Sequence, residues 1–420
     1  MIIIVYKTVL KFNRIKDDKI NILEKVFIDG TFKSVLGLGL TSTIGYGTLF
    51  YSFTIMSVAL EGYFGWSKSF LFGVFSLGLL IGGLVTPYIG KKLDQYGART
   101  IMSIGSILAF FGLFILSMVE TKVEFVLAII FIEIVSTFVL YEAAFVAFSQ
   151  IAKHKARLPI TQITLIAGFA STIFWPFISF LLQYYSWQEV YVILSFFHLF
   201  IAFPLHLFTL PNKKILSKQI EHEDNAQYSR FEGKKNTKRS MILIGVALCL
   251  IAIPIASIQT HLIGILDSFG IEAAMAVTLG AIIGPAQVGA RVFEMIFAKK
   301  ITPITSSIIS TGLLLISMIT LLFCGYSIFI ASLFALFFGA GQGLNYIARG
   351  SLPLYILGSS NYGKTSGYLN LYIKVVTAVA PFAFALSLEN LGNITSVIIL
   401  ILLCTISIVI LNLIPKEKNV

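Results

Sequence analysis

The 420-residue chain alternates between long apolar runs and short polar gaps. Twelve runs stand out, near 35–60, 68–90, 101–119, 125–149, 159–183, 189–210, 241–265, 273–298, 304–323, 326–348, 366–388 and 393–414. Each holds about 19–27 residues, the length a helix needs to cross the hydrocarbon core with some tilt. The pattern predicts an all-α integral membrane protein of twelve transmembrane helices in two six-helix halves. The expected segments are a leader (1–33), a first bundle (34–210), a linker (211–240), a second bundle (241–414) and a tail (415–420).

Charge sets the orientation. The leader carries seven basic residues from Lys7 to Lys33, and the linker has eight basic and four acidic residues. Gaps on their side of the membrane hold Lys91, Lys92 and Arg99, then Lys153, Lys155 and Arg157, Lys299 and Lys300, Arg349 and Lys364, and finally Lys416 and Lys418. The opposite gaps hold only Lys68 and Lys122, beside Glu61, Glu120, Glu124, Asp267, Glu272 and Glu389. Short loops rich in lysine and arginine stay in the cytoplasm, so both termini and the linker are expected there. The location expected is a cell membrane, inner or plasma, crossed many times.

Composition narrows the function. The chain is 57% hydrophobic and 12% charged, half the charge of an average soluble domain. Its net charge of +11 lies in short gaps rather than on a basic stripe, which argues against nucleic acid. Cys249, Cys324 and Cys404 all lie in apolar runs and imply no disulfide framework. No cleavable signal is evident, because residues 1–10 are apolar but short and lack a small-residue cleavage site. An HExxH helix, a serine–histidine arrangement and a phosphate loop are all missing, so neither an enzyme nor a cofactor is expected. His198, His206 and His261 are scattered and lack metal-ligand spacing; His261 either lines the outer vestibule or holds a hydrogen-bonded structural role. Six plus six helices around a basic linker is instead the layout of a transporter built from two pseudo-symmetric halves.

Between the second and third runs stands Gly90-Lys-Lys-Leu-Asp94-Gln-Tyr-Gly97-Ala-Arg99. Glycines permit a tight turn, and Asp94 can sit at a helix terminus and pair with a cation such as Arg99. This resembles the loop signature of the major facilitator superfamily, and the likeness extends along the whole chain through the twelve runs and the linker. The resemblance implies a latch, formed by Gly90, Asp94, Gly97 and Arg99, that stabilises an outward-open state. Gln95 stands where that family usually has a basic residue, which implies a weaker latch here.

Two cations lie inside apolar runs: Arg291 in the eighth and Lys374 in the eleventh. A charge so placed costs about 2.5 kcal/mol or more on insertion scales and needs a partner or a ligand. Both sit a few residues to the cytoplasmic side of their helix centres, so at about 1.5 Å per residue their depths nearly match. Polar neighbours recur at helical spacing, Gln287 before Arg291 and Asn370 before Lys374. The arrangement predicts a cavity for a small anion touching Arg291, Lys374, Gln287 and Asn370. In this respect the second half resembles the oxalate–formate antiporter and monocarboxylate transporter group, which implies a carboxylate held by Arg291 and Lys374. The competing reading is that Arg291 merely neutralises Glu294, three residues on.

Glu142 and Glu294 are candidates for carrying a proton, with Glu142 alternatively pairing a neighbouring basic residue. Glu133 is expected to reach water near the outer surface. Residues 168–176, with a glycine and a proline, mark either a flexible pathway-lining helix or simple close packing. Residues 349–353 read as a helix end. The function expected is exchange or proton-coupled transport of a mono- or dicarboxylate by one monomeric chain in a lipid bilayer. The rivals are proton-driven export of hydrophobic or cationic compounds and a nontransporting sensor on the same scaffold.

Overall fold

The computed structural model describes residues 31–212, 237–298 and 300–415, and the described residues are helical without any strand. The first half consists of α1 (Phe32–Phe64), α2 (Lys68–Tyr96), α3 (Ala98–Leu116), α4 (Lys122–Ala152), α5 (Arg157–Leu181) and α6 (Trp187–Thr209). The second consists of α7 (Thr237–Ser268), α8 (Ala273–Phe297), α9 (Pro303–Leu322), α10 (Ile328–Leu357), α11 (Tyr362–Leu391) and α12 (Asn393–Leu413). Eleven of these are long and apolar enough to cross a membrane by length and composition. The remaining one, α8, has 25 residues, which at about 1.5 Å each also suffices. Most of the leader, most of the linker and the last five residues lie outside the described residues.

Local sequence explains where the helices stop. Thr121 with Glu124 and Ser186 with Glu189 form reciprocal caps at the starts of α4 and α6. The chain then turns out of α2 at Gly97, whose φ of +84° suits glycine and allows α3 to begin at the next residue. Several helices outrun their apolar stretch: α2 continues through Tyr96 and α10 through Leu357. Arg349 and Pro353 therefore lie within α10 rather than at its end, which corrects the sequence reading; the helix closes only at Gly358.

Three interruptions matter for the site. α1 carries a π-turn at Tyr46–Tyr51, α6 another at His198–Ala202, and α5 breaks at Gly168 and Phe169. Such turns widen the hydrogen-bond ladder and commonly mark functional positions. In α1 the indole of Trp175 donates to the Tyr51 carbonyl at 3.1 Å, so the disturbed backbone is partly satisfied from α5.

Each half has its own apolar core, and the halves meet unevenly. α2 packs along α11, the Tyr141–Ala152 part of α4 touches α10 and α11, and the Arg157–Ala167 part of α5 touches α8 and α10. By contrast Ser52–Phe64, Lys122–Val139 and Ala170–Leu181 make their main contacts inside the first half. The halves are thus joined at the end bearing Asp94 and Arg157 and separate toward the other.

Candidate functional site

The joined end is held by two polar clasps. In the first, the backbone amides of Gly363 and Lys364 donate to the two carboxylate oxygens of Asp94, at 2.9 and 2.8 Å. These are free N–H groups of the first turn of α11, where backbone dipoles favour a negative charge. A Cβ at Gly90 would collide with the Gly363 carbonyl, so only glycine lets α2 approach α11 this closely. Gln150, which sequence reasoning missed, braces the turn: its amide donates to the Leu93 carbonyl and its oxygen accepts from the Ala98 N–H, both at 3.0 Å. Asp94→Ala is expected to slow transport severalfold while changing equilibrium substrate binding much less, because the clasp biases conformations without touching ligand. Comparing vesicle uptake rates with ligand affinity checks this, and a mutant that transports normally refutes it.

The second clasp settles the partner of Glu294. Its carboxylate accepts from Arg157 of α5, across the halves, and from the Ser306 hydroxyl at 2.9 Å. Arg157 also donates to the carbonyls of Ala298 and Ile301 beyond the end of α8. Pairing between Arg291 and Glu294 is therefore not what the structure contains; Glu294, only 2% exposed, belongs to an ion pair with Arg157 at the joined end.

Arg291 lies one turn farther from that end and is 3% exposed. Its Nη1 donates to the Thr164 carbonyl of α5 at 2.7 Å. Longer contacts run from Nε to the Gly343 carbonyl at 3.4 Å and from Nη2 to the Gln287 oxygen at 3.5 Å. The Tyr346 ring lies beneath it, 5.4 Å from the guanidinium carbon, in cation–π range. The break in α5 makes room for the guanidinium, since a Cβ at Gly168 would lie 2.6 Å from Nη1. Every one of these partners is neutral, and no described carboxylate stands within ion-pair distance of Arg291.

Lys374 and Arg291 do not share a partner. The Lys374 ammonium faces Glu142 of α4 at 3.9 Å, and the side chains keep 19% and 20% exposure. Gln287 turns to α10, donating to the Gln342 oxygen at 2.6 Å. Asn370 donates to the Ser366 carbonyl and hydroxyl of its own helix, at 2.9 and 3.1 Å, so its spacing from Lys374 reflects intrahelical bonding. Between the two charged positions stand tyrosines from both halves: Tyr46 packs on Tyr141 at 4.5 Å and Tyr141 on Tyr346 at 6.4 Å. Three histidines are hydrogen-bonded within the helices, His198 to Thr48, His206 to Ser106 and Thr41, and His261 to the Pro381 carbonyl. Glu133 does not reach water near the surface, contrary to expectation, because it packs on α2 and is 3% exposed.

Two six-helix halves, clasped at one end around a buried cation, now have a sequence counterpart. The family model of the Major Facilitator Superfamily matches residues 38–381. The chain belongs to the Major Facilitator Superfamily. It is a multi-pass membrane transporter that works by alternating access, as members of this superfamily do. No curated protein sequence matches it. Among solved structures it is similar to the proton:xylose symporter XylE bound to 6-bromo-6-deoxy-D-glucose, with a TM-score of 0.69 and 15% identity over 91% of this chain and 96% of that one. It is also similar to the human organic anion transporter MFSD10 (TETRAN), at 0.66 and 13% over 90% and 98%. A variant of the E. coli fucose:proton symporter FucP gives 0.67 and 14% over 92% and 100%. At these identities the likeness establishes the superfamily fold.

Proposed function

We propose that this transporter carries a small organic anion, a mono- or dicarboxylate, and that Arg291 receives the carboxylate. The observation behind the proposal is that Arg291 is buried with only neutral partners while the nearest acid in sequence, Glu294, is held by Arg157. A guanidinium in low dielectric without a counter-charge is costly, and a carboxylate matches its planar fork with two charge-assisted hydrogen bonds. Since Arg291 reaches from α8 to α5, an anion there would touch both halves. Lys374 serves the second carboxylate of a dicarboxylate, exchanging its partly exposed contact with Glu142 for the substrate. On the charge asymmetry of the loops, the clasped end is cytoplasmic and the chain faces outward as a functional monomer.

A neutral sugar is the second reading. It is supported by the tyrosine wall, whose hydroxyls suit polyols, and by the sugar symporters among the similar structures. Thermal unfolding of purified protein in a panel of carboxylates, neutral sugars and hydrophobic cations separates the readings. A carboxylate present at a hundred times its dissociation constant is expected to stabilise the protein by about 2.7 kcal/mol. A panel in which only sugars or only cations stabilise would remove the anion from consideration.

Glu142 is the coupling carboxylate in this proposal, because its partner Lys374 can be claimed by the substrate and leave it to take up a proton. Glu142→Gln is expected to abolish accumulation driven by a pH gradient, yet to preserve exchange between two loaded compartments. Unchanged pH-driven uptake in the variant would reassign Glu142 to structure.

A further inference from the structure

Gln342, midway along α10, is 0% exposed yet only half satisfied. Its side-chain oxygen accepts from Gln287 of α8 at 2.6 Å, while its own amide nitrogen has no partner among the described residues. A buried N–H left unpaired is costly, and a methionine of similar length would avoid that cost. Packing alone therefore gives no reason for a glutamine at this position.

The reason lies two side chains away. Arginine carries N–H donors and no acceptor, so any group hydrogen-bonded to Arg291 must present oxygen. The carbonyls of Thr164 and Gly343 and the side-chain oxygen of Gln287 do so. With its oxygen on Arg291, Gln287 has its NH2 group turned to α10, and Gln342 must answer with oxygen. The NH2 group of Gln342 is then left over. The arginine thus dictates the polarity of both amides, and the idle donor is the consequence. α10 comes this near because Gly343 lacks a side chain; a Cβ there would lie 2.6 Å from the Gln287 carbonyl.

These bonds also decide what the guanidinium can offer a ligand. Nε and one N–H of each terminal nitrogen are spent on the protein, so one N–H remains on Nη1 and one on Nη2. A donor on each terminal nitrogen is what a carboxylate needs for a bidentate pair. Gln287 is half-buried, so by itself it is free to turn its amide aside; the bond to Gln342 removes that freedom. We propose that Gln342 is a positioning residue for the substrate. It fixes the amide of Gln287, and through that amide the plane of Arg291, without touching the substrate itself. The inference rests on Arg291 being the carboxylate site.

The test measures affinity and stability together in the purified full-length protein. The probes are straight-chain monocarboxylates from formate to butyrate and dicarboxylates from oxalate to glutarate. They are titrated calorimetrically into wild type, Gln342→Met, Gln287→Met and the double variant. Gln342→Met is expected to weaken the tightest acid about tenfold, as for the loss of one hydrogen bond to a charged group. The melting temperature of the substrate-free variant should stay at or above that of wild type, since the idle N–H is gone. Gln287→Met should show a similar loss of affinity, and the double variant no more than either single one, because Gln342 acts through Gln287. Wild-type affinity in Gln342→Met, or losses that multiply in the double variant, overturn the proposal and leave Arg291 as the anion site. A fall in melting temperature beside the affinity loss marks Gln342 as a packing residue and overturns it too. If no acid binds wild type, the carboxylate reading falls and this proposal with it. Should Gln342→Met not fold, Gln342→Asn replaces it: the shortened amide withdraws its oxygen from Gln287 and must weaken the same acid, and wild-type affinity overturns the proposal.

Discussion

Arg291→Lys is expected to weaken binding of the proposed carboxylate substrate by roughly thirtyfold or more, although the charge is kept; truncating one member of a buried charged contact costs about 2–5 kcal/mol. The loss follows from shape. Arginine spreads its donors over a rigid plane, so here it reaches the Thr164 carbonyl on one side and Gly343 and Gln287 on the other. A lysine ammonium is a point charge that cannot bridge α5 and α10 while also offering a bidentate edge to a carboxylate. Calorimetric titration of the ligand found in the panel measures the effect. Lys374→Ala supplies the comparison, since it should weaken a dicarboxylate more than a monocarboxylate. Combining Arg291→Gln with Glu294→Gln should not rescue transport, because Glu294 is paired with Arg157. Undiminished affinity in Arg291→Lys would place the anion elsewhere.

Glu294→Gln is expected to destabilise the conformation clasped at this end by about 3 kcal/mol, within the range measured when one partner of a buried ion pair is removed. The Arg157 guanidinium would keep the carbonyls of Ala298 and Ile301 but lose its only described carboxylate. Because the pair joins α5 to α8, the loss falls on the conformation clasped at this end and favours the opposite one. The measurement is alkylation of a cysteine placed at Ala348, a 1% exposed position on α10, in a background lacking Cys249, Cys324 and Cys404. Labelling should rise in Glu294→Gln and fall back when Arg157→Glu is combined with Glu294→Arg. A cysteine at Gly62 serves as the outside-facing control and should label from outside intact cells in every variant. Wild-type labelling rates at Ala348 in Glu294→Gln would show that the pair does not hold the state.

Several parts of this picture were legible along the chain. The spans follow from apolar length alone, since a helix that crosses lipid satisfies its backbone internally and needs only a continuous apolar exterior. The turn at Gly90 and Gly97 and the helix-terminal place of Asp94 could be read from residue types, while a latch there was implied only by the likeness to the superfamily's loop signature. Arg291 was conspicuous because a cation in an apolar run is costly wherever it points. Its Gln287 neighbour was also visible, being set by helical spacing on one element.

The partners of these groups depended on packing between distant segments. Asp94 binds backbone N–H groups of Gly363 and Lys364, 269 and 270 residues away, and a backbone donor leaves no mark in sequence. Glu294 could pair at helical spacing with Arg291, yet Arg157, 137 residues away, holds it because α5 and α8 meet at the joined end. Asn370 has the spacing of a ligand-binding neighbour and spends its donors on Ser366. Glu133 was placed near water by its distance from the end of its run, but the Gly78 and Gly82 face of α2 covers it. The sequence by itself determined the membrane, the helix count, the two halves and the charges too costly to leave unexplained, because solvent and local geometry act on each segment separately. Which charges neutralise one another, and which one is left for a ligand, was decided only by the tertiary structure, because that choice rests on helix faces brought together from opposite halves of the chain.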